Sequence, residues 1–283
     1  MGPRFALRQV EPRRQPGVLR ALELDPFGPA CPGRACPGLV RHSLTPCALP
    51  LPIDRIWLPA RRSPQIFRKQ GFTLLSGRHI RPGRKAELLA RETGWHGYFR
   101  LDLLTLRHTR HDGSMSPALE REMFERGHAA GVLPYDPVRD EALLIEQFRP
   151  GPLAAGDPEP WQIEIVAGMI DKAGESAEDV VRREATEEAG IEIGALEPIA
   201  DIYTTPGACT ERIALFCGRC NLAGAGGIFG LAGEDEDIRA FPCSMAEIRA
   251  ALDGRAIRNA ITVVALQWLC LNRERLRAAW QSR

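Results

Sequence analysis

The run from Gly168 to Ile191, GMIDKAGESAEDVVRREATEEAGI, constrains this chain more than any other stretch. At about 100° per residue, Ala177, Val180, Val181, Glu184 and Glu188 fall on one face of a helix, so the stripe that the valines turn inward carries carboxylates, with Glu187 beside them. Glu175, Asp179, Arg182 and Thr186 are expected on the far side, and Gly190 ends the helix as its cap. Burying one carboxylate costs several kcal/mol even after relaxation, so three neighbouring inward acids would either protonate or require a cation, and a divalent metal is the economical solution. Hard oxygen donors select Mg²⁺, or Mn²⁺, over zinc, and Mg²⁺ is commonly held by one or two protein carboxylates together with substrate phosphates. The stripe therefore implies a substrate that carries phosphate. Arg183, four residues before Glu187, is spaced to neutralise or orient it. A solvated helix laced with salt bridges is the plain alternative, and the angular placement of the acids argues against it.

The balance of charge narrows the partners. With 37 Lys and Arg against 36 Asp and Glu, the formal charge of +1 advertises neither nucleic acid nor an anionic membrane. No apolar run approaches the roughly 18 residues of a spanning helix, and the first thirty positions hold no apolar secretory core. The eight cysteines are scattered, which suits a reducing, cytoplasmic setting. Cys217 and Cys220 have the gap of a metal knuckle, but no second pair follows at zinc spacing, and IALFCGRCNLA reads as a strand whose thiols pack inside.

Residues 1–72 are rich in Pro, Gly and Arg and carry neither helical nor strand period, so they are expected to form a disordered extension. An Arg-rich targeting segment or a start codon placed too early would look the same. Residues 73–127 contain an alternating run from Gly97 to Leu106, a turn at Asp112 and Gly113, and a return to Phe124, which is an antiparallel β unit. From residue 128 to 283, the strands HAAGVLPYDP, EALLIEQFR and WQIEIVAG precede the acidic helix. Strands at Ile199–Tyr203, Arg212–Cys220 and Ile238–Pro242 and two further helices follow, an α/β pattern. Trp161 and Trp268, on apolar patterns, are assigned to the core.

The spacing E-x7-R-E-A-x-E-E-x-G-I, from Glu175 to Ile191, resembles the Nudix box. Six residues, Met169 to Gly174, separate Gly168 from Glu175 where the family usually has five. That extra residue puts the approach of Ala167 and Gly168 to the metals in question. The stretches YFRLDLLTLRH, REMFERGHAA, TPGACTER, LAGEDEDI and NAITVVALQWL, with Pro206 sixteen positions past Gly190, resemble the bacterial ADP-ribose pyrophosphatase subfamily. The resemblance implies a Nudix α/β/α sandwich with a mixed sheet, preceded by the small antiparallel β subdomain, which would make a homodimer.

It also implies roles for individual residues. The Ala167 carbonyl, Glu184, Glu188 and Glu236 would hold metal, Glu187 would support them, and Glu234 would activate the attacking water. Arg126, Arg149, Met169, Thr205, Pro206, Gly207 and Glu211 match substrate-contacting positions. Tyr98, Phe99, Arg121 and Glu122 match positions donated by a partner subunit, although Phe99 reads nearly as well as core. From the residues alone, Glu234 to Asp237 is either a solvated turn or a mobile catalytic loop. The activity so implied is Mg²⁺-dependent hydrolysis of ADP-ribose to AMP and ribose 5-phosphate. Hydrolysis of another nucleotide sugar such as GDP-mannose is the alternative, and a non-catalytic nucleotide sensor a more distant one.

Overall fold

The structure, a computed structural model, describes residues 83–281 apart from 232 and 234. The expectations for residues 1–72 and for Glu234 fall outside the described residues. Strands β1 (Ala86–His96), β2 (Arg100–His108) and β3 (Leu119–Glu125) make an antiparallel three-stranded sheet. The turn between β2 and β3 is pinned where the Ser114 backbone N–H and hydroxyl donate to Asp112 at 2.8 and 2.7 Å. On one face of this sheet Asp102 is buried and accepts from Arg100 at 2.8 Å and Thr93 at 3.2 Å. On the other, Trp95, Leu101 and Phe124 lie abreast across the strands and are all exposed.

The second sheet comprises β4 (Ala129–Asp136), β5 (Glu141–Phe148), β6 (Trp161–Glu164), β7 (Val166–Met169), β8 (Leu196–Tyr203), β9 (Arg212–Arg219), β10 (Gly227–Phe229) and β11 (Ile238–Ser244). Its main path runs β10-β11-β5-β4-β9-β8, with β4 and β9 parallel and the other pairs antiparallel, so the sheet is mixed. Helix α1 (Pro150–Ala154) follows β5, and α2 (Ala177–Ala189) packs on one face. Helices α3 (Met245–Asp253) and α4 (Ala260–Gln281) cover the other. Every residue of β4 is buried, as a strand covered on both sides must be. Ala130 and Val132 join Val180, Val181 and Ala185 beneath α2, whereas Leu133 and Tyr135 join Ala265, Leu266 and Leu269 beneath α4. This is the α/β/α sandwich with a small antiparallel subdomain that the family resemblance implies.

Two features of the strand WQIEIVAG differ from expectation. It is two strands, because β4 and β5 pair only at Tyr135–Ala142 and Asp136–Glu141 and then diverge. Strand β6 fills the fork along β5 and β7 along β4. At the break, the Ile165 N–H leaves the ladder and donates to the Thr262 hydroxyl of α4 at 3.0 Å. Trp161 is not core: it is 58% exposed and meets Phe148 edge-on at 5.9 Å, because β6 turns Gln162 and Glu164 inward instead. Trp268 does pack against the α4 core. Cys217 is fully buried and Cys220 partly so, and burial pushes the Cys220 thiol up to about 12, in keeping with packed thiols.

Candidate active site

The acidic helix is fixed at both ends by its own sequence. Ser176 caps its start, accepting from the Asp179 N–H at 3.2 Å while Asp179 accepts from the Ser176 N–H at 3.0 Å, a capping box. Gly190 closes it in the left-handed conformation, φ 62°, where an added Cβ would lie 2.5 Å from the Phe229 ring. Between the caps Ala177, Val180, Val181, Ala185 and Glu188 are buried, and Glu184 and Glu187 are half-buried at the edge of the same stripe. Glu175 differs from expectation. It precedes the cap, so the helical period does not govern it, and it folds back to receive Arg183 Nε at 3.0 Å.

Arg183 gathers three of the acids. Its Nη1 donates to Glu184 at 2.7 Å and to Glu187 at 2.9 Å, while Nε takes Glu175. The hydrogen bond that Arg183 donates to Glu175 leads the effects that hold its guanidinium above its ordinary value. Glu188 has no such partner. It is 4% exposed, accepts the Ala167 N–H at 3.2 Å, and burial, reinforced by the charges of Glu184 and Glu236, pushes its carboxyl up to about 8. Burial likewise raises Glu184, against the opposing pull of Arg183.

Strand β7 presents its backbone to these acids. Ala167 directs its N–H to Glu188, away from β4. Because a strand residue sends N–H and C=O to the same edge, its carbonyl emerges on that side as well. Gly168 lies directly beneath Glu184. The extra residue before the helix is absorbed by a turn closed from the Glu175 N–H to the Lys172 carbonyl at 3.2 Å, with Gly174 at φ 87°, so Gly168 keeps its contact with the helix.

Arg149, at the end of β5, faces the same space. Its Nε donates to both Glu164 oxygens at 3.2 and 3.1 Å and its Nη2 to one at 2.7 Å. Burial pulls the guanidinium down, but Glu164, with the charges of Glu188 and Glu236 behind it, outweighs that and holds it above its ordinary value. Glu236 turns its carboxylate back onto its own loop, accepting the Leu231 N–H at 3.2 Å. Among the described residues no three His, Cys, Asp or Glu side chains are arranged to hold a metal ion as they stand. Arg183 engages Glu184 and Leu231 engages Glu236. An all-oxygen set around the buried Glu188, which has no cationic hydrogen-bond partner, nevertheless has the chemistry that a hard divalent cation requires.

A second group of residues meets where the small sheet joins the large one. Arg126 Nη1 binds Glu211 at 2.6 Å, Glu211 accepts the Thr204 hydroxyl at 2.9 Å, and Arg126 lies 5.6 Å from the Phe99 ring centroid. The buried Nε of Arg126 finds no acceptor among the described residues. Phe99 packs edge-on against Phe124 at 5.2 Å, and Tyr98, 79% exposed, meets Phe99 at 4.7 Å. Thr205, Pro206 and Gly207 form an exposed turn, closed where the Ala208 and Cys209 N–H groups donate to the Thr205 carbonyl. The Phe124 N–H donates to the Ala208 carbonyl at 2.7 Å, which ties this turn to β3. Strand β7 connects the two groups, since Met169 lies against Gly127, the residue after Arg126. Arg121 and Glu122 stand apart in the middle of β3, exposed, with Arg121 donating to the Glu120 carbonyl at 2.6 Å. The residue that sequence reasoning overlooks is Glu164. Its only signal was the alternation of Gln162 and Glu164 with bulkier neighbours.

Comparison with known proteins bears directly on this geometry. The NUDIX domain family model matches residues 125–261. The chain is 47% identical over 196 residues to the ADP-ribose pyrophosphatase of Escherichia coli (strain K12), covering 69% of this chain and 92% of that protein. It is 39% identical over 199 residues to the ADP-ribose pyrophosphatase of Haemophilus influenzae, covering 69% and 90%. To the GDP-mannose pyrophosphatase of Cronobacter sakazakii it is 35% identical over 178 residues, covering 62% and 89%. A crystal structure of an ADP compounds hydrolase, 21% identical, superposes with a TM-score of 0.51 over 70% of this chain and 97% of that one, and so agrees in fold. With the acidic helix, its glycine-floored strand and these relatives together, the chain belongs to the Nudix family of hydrolases.

Proposed function

We propose that this enzyme hydrolyses ADP-ribose to AMP and ribose 5-phosphate with Mg²⁺, for which Mn²⁺ can substitute. The observation that carries the reading is Glu188: a buried carboxylate with no cationic hydrogen-bond partner, beside Glu184 and the free edge of Ala167. In this reading Glu184, Glu188, Glu236 and the Ala167 carbonyl hold the metal, which when bound neutralises the pyrophosphate and makes phosphorus more open to attack. Arg149 and Arg126 bind the pyrophosphate oxygens, for which a planar guanidinium is suited. Glu187 acts through Arg183 to set Glu184. Glu234 takes the proton of the attacking water. Met169, the turn at Thr205, Pro206 and Gly207, and Glu211 line the ribose and phosphates.

ADP-ribose is preferred to GDP-mannose because the ADP-ribose pyrophosphatases of E. coli and H. influenzae are the more similar relatives. The exposed row of Trp95, Leu101 and Phe124 supports a homodimer built through the subdomain 73–127, with Tyr98, Phe99, Arg121 and Glu122 reaching the neighbour's substrate and 128–283 as the hydrolase domain. The scattered cysteines suit a cytoplasmic setting for it. Light scattering reads the oligomer. Chromatography of the products of ADP-ribose and GDP-mannose, side by side, tests the substrate.

A further inference from the structure

Glu164 is 4% exposed, and nearly all of its hydrogen-bonding capacity is used. It accepts two donors of Arg149, the Gln147 amide at 3.3 Å and the Asn259 amide at 3.0 Å. Asn259 is itself held, since its carbonyl oxygen accepts both the Thr262 N–H at 3.1 Å and the Thr262 hydroxyl at 3.0 Å. That same hydroxyl receives the Ile165 N–H at the break between β6 and β7. The first turn of α4 thus grips the point where the sheet forks and fixes the carboxylate beside it.

Burying a carboxylate, even against a guanidinium, is a poor way to gain stability, because desolvation consumes most of the attraction. The pair is also asymmetric. Glu164 is enclosed, whereas Arg149 is 42% exposed in its side chain and its Nη1 has no partner among the described residues. Arg149 is near enough to Glu188 for its charge to be felt there. A guanidinium clamped through Nε and Nη2 cannot rotate, so its remaining edge is aimed before any ligand arrives, and such orientation is where a positioning residue contributes to catalysis.

We infer that Glu164 is a positioning residue, held by Asn259, which precedes α4, and through it by Thr262 of α4, and that it presents the free edge of Arg149 to the anionic oxygens of the substrate. This deepens the proposed function and rests on Arg149 binding phosphate. It assigns to the C-terminal helix a part in ordering the site.

The test is a double-mutant cycle on the full-length enzyme. Glu164→Gln keeps the volume and loses the paired charge, and KM for ADP-ribose should rise about tenfold, the worth of one charged hydrogen bond, with a smaller change in kcat. Asn259→Ala should raise KM in the same direction by less, and Asn259→Gln should restore part of it. In an Arg149→Ala background, Glu164→Gln should add nothing further. The Mg²⁺ dependence of all variants should match the parent, because Glu164 binds no metal. Calorimetric titration with inorganic pyrophosphate in EDTA repeats the cycle without turnover. If the parent releases no AMP from ADP-ribose, the substrate assignment fails, while the pyrophosphate cycle still judges Glu164. An equal loss from Glu164→Gln with and without Arg149, or an unchanged KM and pyrophosphate affinity, would overturn the inference.

Discussion

The Glu184 carboxylate rests on the bare backbone of Gly168, so closely that a Cβ at that position would lie 1.8 Å from Glu184 Oε1. The nearest atoms belong to the far end of a flexible side chain, so a methyl group there displaces the carboxylate rather than the fold. Gly168→Ala should therefore lower kcat by roughly 10²-fold, the cost of an ångström's misplacement, while the thermal midpoint barely moves. Steady-state kinetics beside a melting curve decide this. Unchanged turnover would show that Glu184 need not occupy that place.

Glu188→Gln should weaken Mg²⁺ binding and turnover together, since the amide keeps the shape but not the charge that balances the ion. The metal-free protein should become more stable. A carboxyl raised to about 8 destabilises the fold increasingly as pH climbs from its unfolded value near 4.5 toward 8, and the amide removes that slope. Isothermal titration with Mg²⁺ and chemical denaturation at pH 5 and pH 8 measure both. A variant that binds Mg²⁺ like the parent would remove Glu188 from the metal site.

Asp140 offers a pH effect far from catalysis. It sits in the left-handed region at φ 61°, accepts the Tyr135 hydroxyl at 2.6 Å and is gripped by Arg273 of α4, whose hydrogen bond leads the effects that lower its carboxyl. A lowered carboxyl contributes stability above its unfolded value of 3.8, and that stability is lost as pH falls below it. Asp140→Asn tolerates the same backbone and should cost about 2 kcal/mol at pH 7, less at pH 3. Denaturant unfolding at the two pH values checks the sign. A pH-independent loss would mean that the charge is irrelevant.

Glu234→Gln should lower kcat by about 10² to 10⁴-fold with little change in KM, as loss of a general base does. Amide substitutions at Asp235, Glu236 and Asp237 form the comparison, and only Glu236→Gln should recover as Mg²⁺ is raised. A Glu234 variant with parental kcat would return the GEDEDI loop to a solvated turn.

The acidic helix was legible because its signals are local: a capping pair three residues apart, a 3.6-residue period and a terminal glycine. The fork at Ile165 was not, because it depends on Thr262, 97 residues away, supplying the acceptor that the ladder lacks. The same distance hid Glu164, whose reason for facing inward is spread over β5 and α4, and it misdirected Trp161, whose size suggested core where β6 required its polar face inside. Glu175 was misjudged by extending the helical period one residue past the cap. Strand β10, three residues between glycines, leaves no periodic trace at all.

The central claim is chemical, and one assay meets it directly. ADP-ribose incubated with the enzyme and Mg²⁺, then resolved by chromatography, should give AMP and ribose 5-phosphate in equal amounts, with no product in EDTA and slower turnover of GDP-mannose. Intact ADP-ribose under those conditions, or faster release of GMP from GDP-mannose, would contradict the account.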